Sequence, residues 1–313
     1  MKASLFVVIC CVAILIEAPF RIYKPSSDED IFNLLVPVPL RKNELESKLE
    51  KKILFCTMLT DDFHNYAKGS VQLIQNVPKQ LKNIHAVVFE IAERPIPLEV
   101  WFSLREAGWA EVQTVSRIAP RHEGREEHAR FQDQFTKLHL WNFSRDQYEW
   151  VLYMDSDMFV VRSLLPLFSF IMDQDRKTRT ENFTIYAAED LPFIPGAFNL
   201  GMFAIQPDPL EFNRLLDLLH NENKLAYSER WAEQGFLNAV YCTPQQWVKI
   251  PPNLNVNIGL WSHDRDAWND QSKGMQILHF TMVKPWSWWC PWTEWAPLCF
   301  LFWNKASLKF HQV

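Results

Sequence analysis

The chain has 313 residues, 48% hydrophobic, 22% charged and 14% aromatic, enough for one large globular domain or two small ones. A net charge of -5 gives no case for nucleic acid as a partner. No CxxC or Cys/His spacing points to zinc, and there is no internal repeat or low-complexity tract.

Lys2 precedes an apolar run from Ala3 to Ile16, broken by Glu17 and Pro19. The run is shorter than the roughly 20 residues of a membrane span. Residues 1–19 therefore read as a signal peptide or signal anchor. Glu17-Ala18-Pro19 is not a clean cleavage site. Residues 20–50 are polar, with Pro25 and Asp28-Glu29-Asp30, and read as a stem into a domain over 51–286. The leader implies the secretory pathway, in the Golgi or ER lumen, either free or held at the membrane. Two sequons agree: Asn142-Phe143-Ser144, near a helix end and less accessible, and Asn182-Phe183-Thr184, in a better exposed loop. Beyond the leader stand Cys56, Cys242, Cys290 and Cys299, which allow three pairings. Cys290 with Cys299 is the expected one.

Ile53–Met58 reads as the first strand, Asp61–Gln75 as loop and helix, and His85–Ile91 as the second strand. Pro97–Ala107 reads as a helix and Glu111–Val115 as the third strand. Phe131, Phe135, Leu138 and Trp141 then recur at helical spacing. Next comes the most informative octet, Trp150-Val151-Leu152-Tyr153-Met154-Asp155-Ser156-Asp157. A buried strand ends in two carboxylates one residue apart, which can point the same way. In an open α/β sheet, ligands sit beyond the carboxyl ends of the strands. Two hard oxygen donors there suit magnesium or manganese. A turn with two capping aspartates fits the same residues.

In the second half, Asp173–Asn182 reads as a variable loop, Thr184–Ala188 and Leu200–Ile205 as strands, and Pro209–His220 and Glu229–Tyr241 as helices. Gln276–Phe280 reads as a strand, followed by Lys284-Pro285-Trp286. His279 offers a nitrogen to the same metal or is structural, and Lys284 offers a compact charge to a pyrophosphate. Strands alternating with helices imply a largely parallel, Rossmann-like α/β sheet. The tail, 287–313, crowds Trp288, Trp289, Trp292, Trp295, Phe300, Phe302 and Trp303 together. Pro291 and Pro297 argue against a spanning helix. The tryptophans fit docking at a membrane interface or packing on the core, and docking is the favoured expectation.

Several ordered segments carry a resemblance: Ile53 to Thr60, Tyr66-Ala67-Lys68-Gly69, Phe135-Thr136-Lys137-Leu138, Tyr153 to Asp157, Asn199 to Phe203, Glu233 to Asn238, and His279-Phe280 with Lys284-Pro285-Trp286. In these the chain resembles glycosyltransferase family 8, the glycogenin-like branch, from about Ile53 to Trp286. The resemblance implies a single GT-A-type Rossmann-like α/β domain with a mixed central sheet. It implies that Asp155, Asp157 and His279 bind manganese, or magnesium, which bridges the diphosphate of a UDP-sugar. Lys284 would reach the same oxygens, and Ser156 would lie against the nucleotide. Thr57, Leu59 and Thr60 would line the uridine pocket, and Tyr66 would stack on the base. Lys137, Asn199 and Gln234 would work around the donor sugar and acceptor, with Glu233 where glycogenin carries an aspartate. The implied reaction moves a hexose, glucose or glucuronate, with retention of configuration onto a glycan or glycolipid acceptor. A self-glucosylating primer and an inactive sugar-nucleotide or glycan-binding relative are the rivals. Residues 253–270 hold Trp261 and Trp268 but no tyrosine, which speaks against the primer. Thr281-Met282-Val283 is shorter than the matching stretch of glycogenin and lacks its glycine.

Overall fold

The computed structural model describes residues 52–60, 63–77, 83–122, 131–178, 184–221, 223–243, 246–290, 295–300 and 302–303. The leader, the stem, the Asn182 sequon and parts of the tail lie outside them.

Strand β1 (Ile53–Leu59) pairs in parallel with β2 (Ile84–Ile91) and β4 (Trp150–Met154), and β2 pairs with β3 (Glu111–Val115). β7 (Ile194–Ile205) runs antiparallel to both β4 and β6 (Ile185–Asp190), and β6 pairs in parallel with β8 (Trp247–Lys249). The order is β3-β2-β1-β4-β7-β6-β8. The sheet is therefore mixed. The strand–helix alternation hides this because β6 and β7 form a hairpin across Leu191–Phe193, a turn too short for a parallel crossover. From β1 the chain moves outward through β2 and β3, then returns to place β4 on the other side of β1. This is a topological switch point, where α/β folds open a ligand crevice.

β1 is apolar throughout because both faces of the sheet are covered. Ile53, Phe55 and Leu59 pack into one layer, with helices α1 (Phe63–Gln75), α2 (Leu98–Ala107) and α3 (Leu165–Thr178). Leu54, Cys56 and Met58 pack into the other. That layer holds a 3-10 segment (Gln134–Asn142), α4 (Pro209–His220) and α5 (Ala232–Tyr241). The residues read at helical spacing, Phe131 to Trp141, thus give a tighter 3-10 segment. Its terminal Asn142 is exposed, contrary to the sequence expectation. The polar stretch from Asp173 continues α3 to Thr178 instead of forming a loop. Glu229–Tyr241 is broken into a 3-10 turn, Glu229–Trp231, and α5, because Ala232 takes a left-handed φ of 46°.

A second sheet holds β5 (Met158–Val160), β10 (Ile277–His279) and β9 (Val256–Asn257), in the order β5-β10-β9. Gln72 of α1 bonds both the carbonyl and the N–H of Val160, at 2.8 and 3.1 Å, and so ties the first helix to this sheet. A third apolar cluster covers it, including Phe159, Trp268, Phe280 and the tail residues Leu298, Cys299 and Phe302. Cys290 and Cys299 are disulfide-bonded, as the sequence reading expected. The Phe302 ring meets those of Phe159, Trp286 and Phe280 at 5.6, 6.0 and 6.2 Å. Trp303 Nε1 donates to the Pro285 carbonyl at 2.8 Å. The inner side of the tail is therefore core, against the expectation of a detachable docking segment, because the small sheet needs an apolar cover. Trp288, Trp289 and Phe300 remain exposed. Among the described residues no helix is long and apolar enough to cross a membrane.

Candidate active site

A cavity of about 510 Å³ opens at the carboxyl ends of β1 and β4. Its floor is the turn Asp155-Ser156-Asp157, which follows β4 directly. Gly69 on α1 lets the helix seat on that turn, since a Cβ there would run into the Ser156 carbonyl. The Asp155 N–H donates to the Gly201 carbonyl at 2.7 Å, which extends the β4–β7 pairing by one residue. β10 pairs with β5 so that His279 faces Met158, one residue past Asp157. The Phe280 N–H donates to the Asp157 carbonyl at 3.1 Å. Two strands far apart in sequence are thus held in a register that joins His279 to the aspartates. Gly201 completes the fit, because a Cβ there would lie 2.8 Å from both ring nitrogens of His279.

Asp155, Asp157 and His279 offer ligand atoms all within 4.8 Å of one another. A divalent ion with ligands about 2.1–2.3 Å away spaces them by about 3 to 4.5 Å. His279 Nε2 lies 3.4 Å from Asp157 Oδ1 without bonding it, and both Asp157 Oδ1 and His279 Nδ1 are buried with no partner. Buried polar atoms are rarely left so, and each one needs an explanation. Two orphans in one cluster of oxygen and nitrogen donors fit a cation site.

Two ammonium groups flank the cluster. Lys284 Nζ donates to Asp157 Oδ2 and, at 2.7 Å, to the Phe280 carbonyl. Burial pushes the Asp157 carboxyl up, but Lys284 and His279 outweigh it and hold the group below the ordinary carboxylate range. Lys137 is buried between Glu233 at 2.9 Å and Asp155 at 3.1 Å, above the Tyr153 ring. Burial pulls the Lys137 ammonium down, but Asp155 and Glu233 together raise it above the usual lysine value, so it stays charged. Its segment is pinned by Asp133, which takes both Arg117, at 2.7 Å, and Arg94.

Asn199 and Gln234 come together through a residue that the sequence reading missed. Their side-chain amides donate to the two oxygens of Asp190, each at 2.9 Å. The Asn199 carbonyl oxygen accepts from the Gly201 N–H at 2.9 Å, and that of Gln234 from the Leu200 N–H at 3.1 Å. Each amide keeps one N–H for a ligand. Burial raises the Asp190 carboxyl, against the lowering pull of the two amides. Nothing in the sequence near Asp190 marks it, since its partners lie 9 and 44 residues away.

The nucleoside positions divide. Leu59, Thr60 and Tyr66 line the cavity with Met58. Tyr66 meets Trp286 edge-on at 4.8 Å, which leaves the pocket walled by aromatic surface. Thr57 does not line it. Alternation along β1 turns Thr57 toward the α1 layer, where it is fully buried. At the opposite end of the cavity stand Phe193, Trp231 and Met282, none of them anticipated.

The profile of Glycosyl transferase family 8 matches residues 56–290. The chain belongs to this family. It is 25% identical over 211 residues to inositol phosphorylceramide glucuronosyltransferase 1 of Arabidopsis thaliana, covering 60% of this chain and 35% of that protein. It is 27% identical over 239 residues to galactinol synthase 1 of Solanum lycopersicum, covering 71% of this chain and 70% of the relative. It is 23% identical to UDP-glucuronate:xylan alpha-glucuronosyltransferase 2 of Arabidopsis thaliana, over 79% of this chain and 38% of the relative. The chain thus spans little more than a third of the two glucuronosyltransferases. Among solved structures it resembles the galactosyltransferase LgtC in complex with donor and acceptor sugar analogues. There the TM-score is 0.53 and the identity 17%, over 82% of this chain and 95% of that one. The fold is GT-A, with a mixed seven-stranded sheet.

Proposed function

We propose that this chain is a retaining, divalent-metal-dependent hexosyltransferase. It takes glucose or glucuronate from a UDP-sugar and passes it to a glycan or glycolipid acceptor. The observation that carries this is the Asp155–Asp157–His279 cluster with two orphaned donor atoms, beside Lys284, on the floor of a cleft at the switch point. Manganese or magnesium, held by those three residues, would draw negative charge from the leaving diphosphate. Lys284 meets the same developing charge with a compact cation. Leu59, Thr60 and Tyr66 receive the nucleoside. Lys137, pinned by Asp155 and Glu233, supplies fixed positive charge on the sugar side. Asn199 and Gln234, oriented by Asp190, direct one amide N–H each at sugar hydroxyls. In the transfer, the bond from the anomeric carbon to the β-phosphate oxygen breaks. A bond to an acceptor hydroxyl oxygen forms on the same face, and the hydroxyl proton departs with UDP. Fixed dipoles and close approach of the two oxygens do the work, with no protein nucleophile in the scheme.

The glucuronosyltransferase names of two relatives favour glucuronate or glucose as the sugar. The leader and sequons favour a luminal domain in the secretory pathway. The test is a panel of UDP-sugars with manganese, magnesium or EDTA and no acceptor. Slow, metal-dependent release of one hexose supports the reading. No release from any donor, with UDP binding insensitive to EDTA, overturns it.

A further inference from the structure

The cleft runs across the sheet from β1, on the nucleoside side, past β4 and β7 to the β6–β7 hairpin. At that far end the cavity wall changes character. Phe193, at the hairpin turn, is 37% exposed and faces the cavity. Met282, in the loop between His279 and Lys284, is 42% exposed and faces it too. Trp231 stands beside them on the wall, next to Glu233 and Gln234.

These positions are built. The Phe193 ring lies against Gly259, where a Cβ would come within 2.6 Å of its tip, so only glycine leaves it room. The His263 ring supports it at 5.8 Å, nearly edge-on. Asn257, buried on β9, accepts from the Gly259 N–H at 2.8 Å and from the Thr281 hydroxyl at 2.6 Å. One side-chain oxygen thus fixes both the turn under Phe193 and the loop that carries Met282. Trp231 precedes Ala232, whose positive φ is costly for any residue with a Cβ and recurs at ligand-binding sites.

We infer that Phe193, Trp231 and Met282 form an acceptor subsite for a ring with an apolar C–H face, a pyranoside, laid against aromatic surface. Aromatic faces suit such rings because the C–H faces lose little hydration while the hydroxyls at the rim keep theirs. The apolar wall lies at the end of the cleft opposite the nucleoside pocket, where an acceptor must approach the anomeric carbon. The inference rests on the proposed transferase reading. The pyranoside could be a glycan end or the head of a glycolipid.

The experiment uses the full chain, the donor and metal that give the fastest hydrolysis, and two probe acceptors, cellobiose and octyl β-D-glucopyranoside. Phe193→Ser and Met282→Ser are each compared with Leu210→Ser, a control on exposed surface away from the cavity. Either variant should raise the acceptor KM about 5–10-fold for both probes, with kcat changed far less, from the size of an aromatic contact. Phe193→Trp should restore the KM, which a merely structural role would not. Equal KM values for the variants and the control overturn the inference. So does a loss confined to the octyl probe, since the contact would then be with the alkyl chain. Donor hydrolysis without transfer to either probe also overturns the pyranoside assignment. Absence of donor hydrolysis in the unaltered chain overturns the transferase reading itself, which is a separate result.

Discussion

Gly201 is the least conspicuous part of the metal cluster and the most exacting test of it. A Cβ added there would stand 2.8 Å from both nitrogens of the buried His279 ring, and closer still to the carbon between them. Non-bonded heavy atoms need about 3.5–4.0 Å, so in Gly201→Ala the ring must retreat by about 1 Å or more. Metal ligands tolerate displacements of only about 0.2 Å. The strand itself has no reason to break, because β7 keeps its pairs with β4 and β6. Overpacking of this kind costs about 1–3 kcal/mol, so the domain should melt a few degrees lower and still fold. Metal-dependent UDP affinity should fall about 10–100-fold or more, the range seen when ligand orientation is lost. Calorimetric titration of UDP with manganese and with EDTA measures the difference directly. A folded Gly201→Ala protein that binds UDP as tightly as the unaltered chain, with the same EDTA sensitivity, would refute this placement of His279.

Lys137→Met should cost about 3–5 kcal/mol of stability in urea unfolding, because it leaves Asp155 and Glu233 buried together without their cation. Adding Glu233→Gln should recover part of that loss, and strictly additive losses would deny the coupling. The raised Asp190 carboxyl favours the folded state while protonated. Its contribution is complete below the ordinary aspartate range and fades as pH climbs through the raised value. Asp190→Asn should therefore flatten the decline of unfolding free energy from the ordinary aspartate range upward, and an unchanged slope would contradict it. Cys299→Ser should lower stability by about 2–3 kcal/mol, the scale for a short disulfide loop. Truncation after Ser287 should go further and collapse the melting transition, since it uncovers the small sheet; an unchanged melt would return the tail to a dispensable role.

Much of the site was legible because its signals are local. The apolar run Trp150–Met154 ends abruptly in Asp155 and Asp157, and that pattern specifies a strand end with two carboxylates. Pro209 behind Asp208 marked the start of α4, and the Asp208 side chain does accept from the Leu210 N–H at 2.8 Å. What escaped depends on distant partners. β5 is three residues inside a continuous apolar stretch, so no alternation announces it. Asp190 gains its role only when the β6–β7 hairpin and α5 bring Asn199 and Gln234 to it. Thr57 matched the right segment but falls on the buried parity of β1. The polar residues after Asp173 look like a loop, yet they continue α3, whose apolar residues Leu167, Phe168 and Ile171 anchor it. The tail's tryptophans suit a membrane or a core equally well by composition, and only the small sheet beneath Phe302 decides for the core.

The central claim is that Asp155, Asp157 and His279 hold a divalent cation that fixes a nucleoside diphosphate beside Lys284. Anomalous X-ray scattering from crystals grown with manganese chloride and UDP measures this most directly. The account expects one strong peak among the three side chains, with the UDP phosphates between it and Lys284 and the uracil near Tyr66. Nucleotide bound in the cleft with no peak at that cluster, or manganese bound elsewhere, would contradict it.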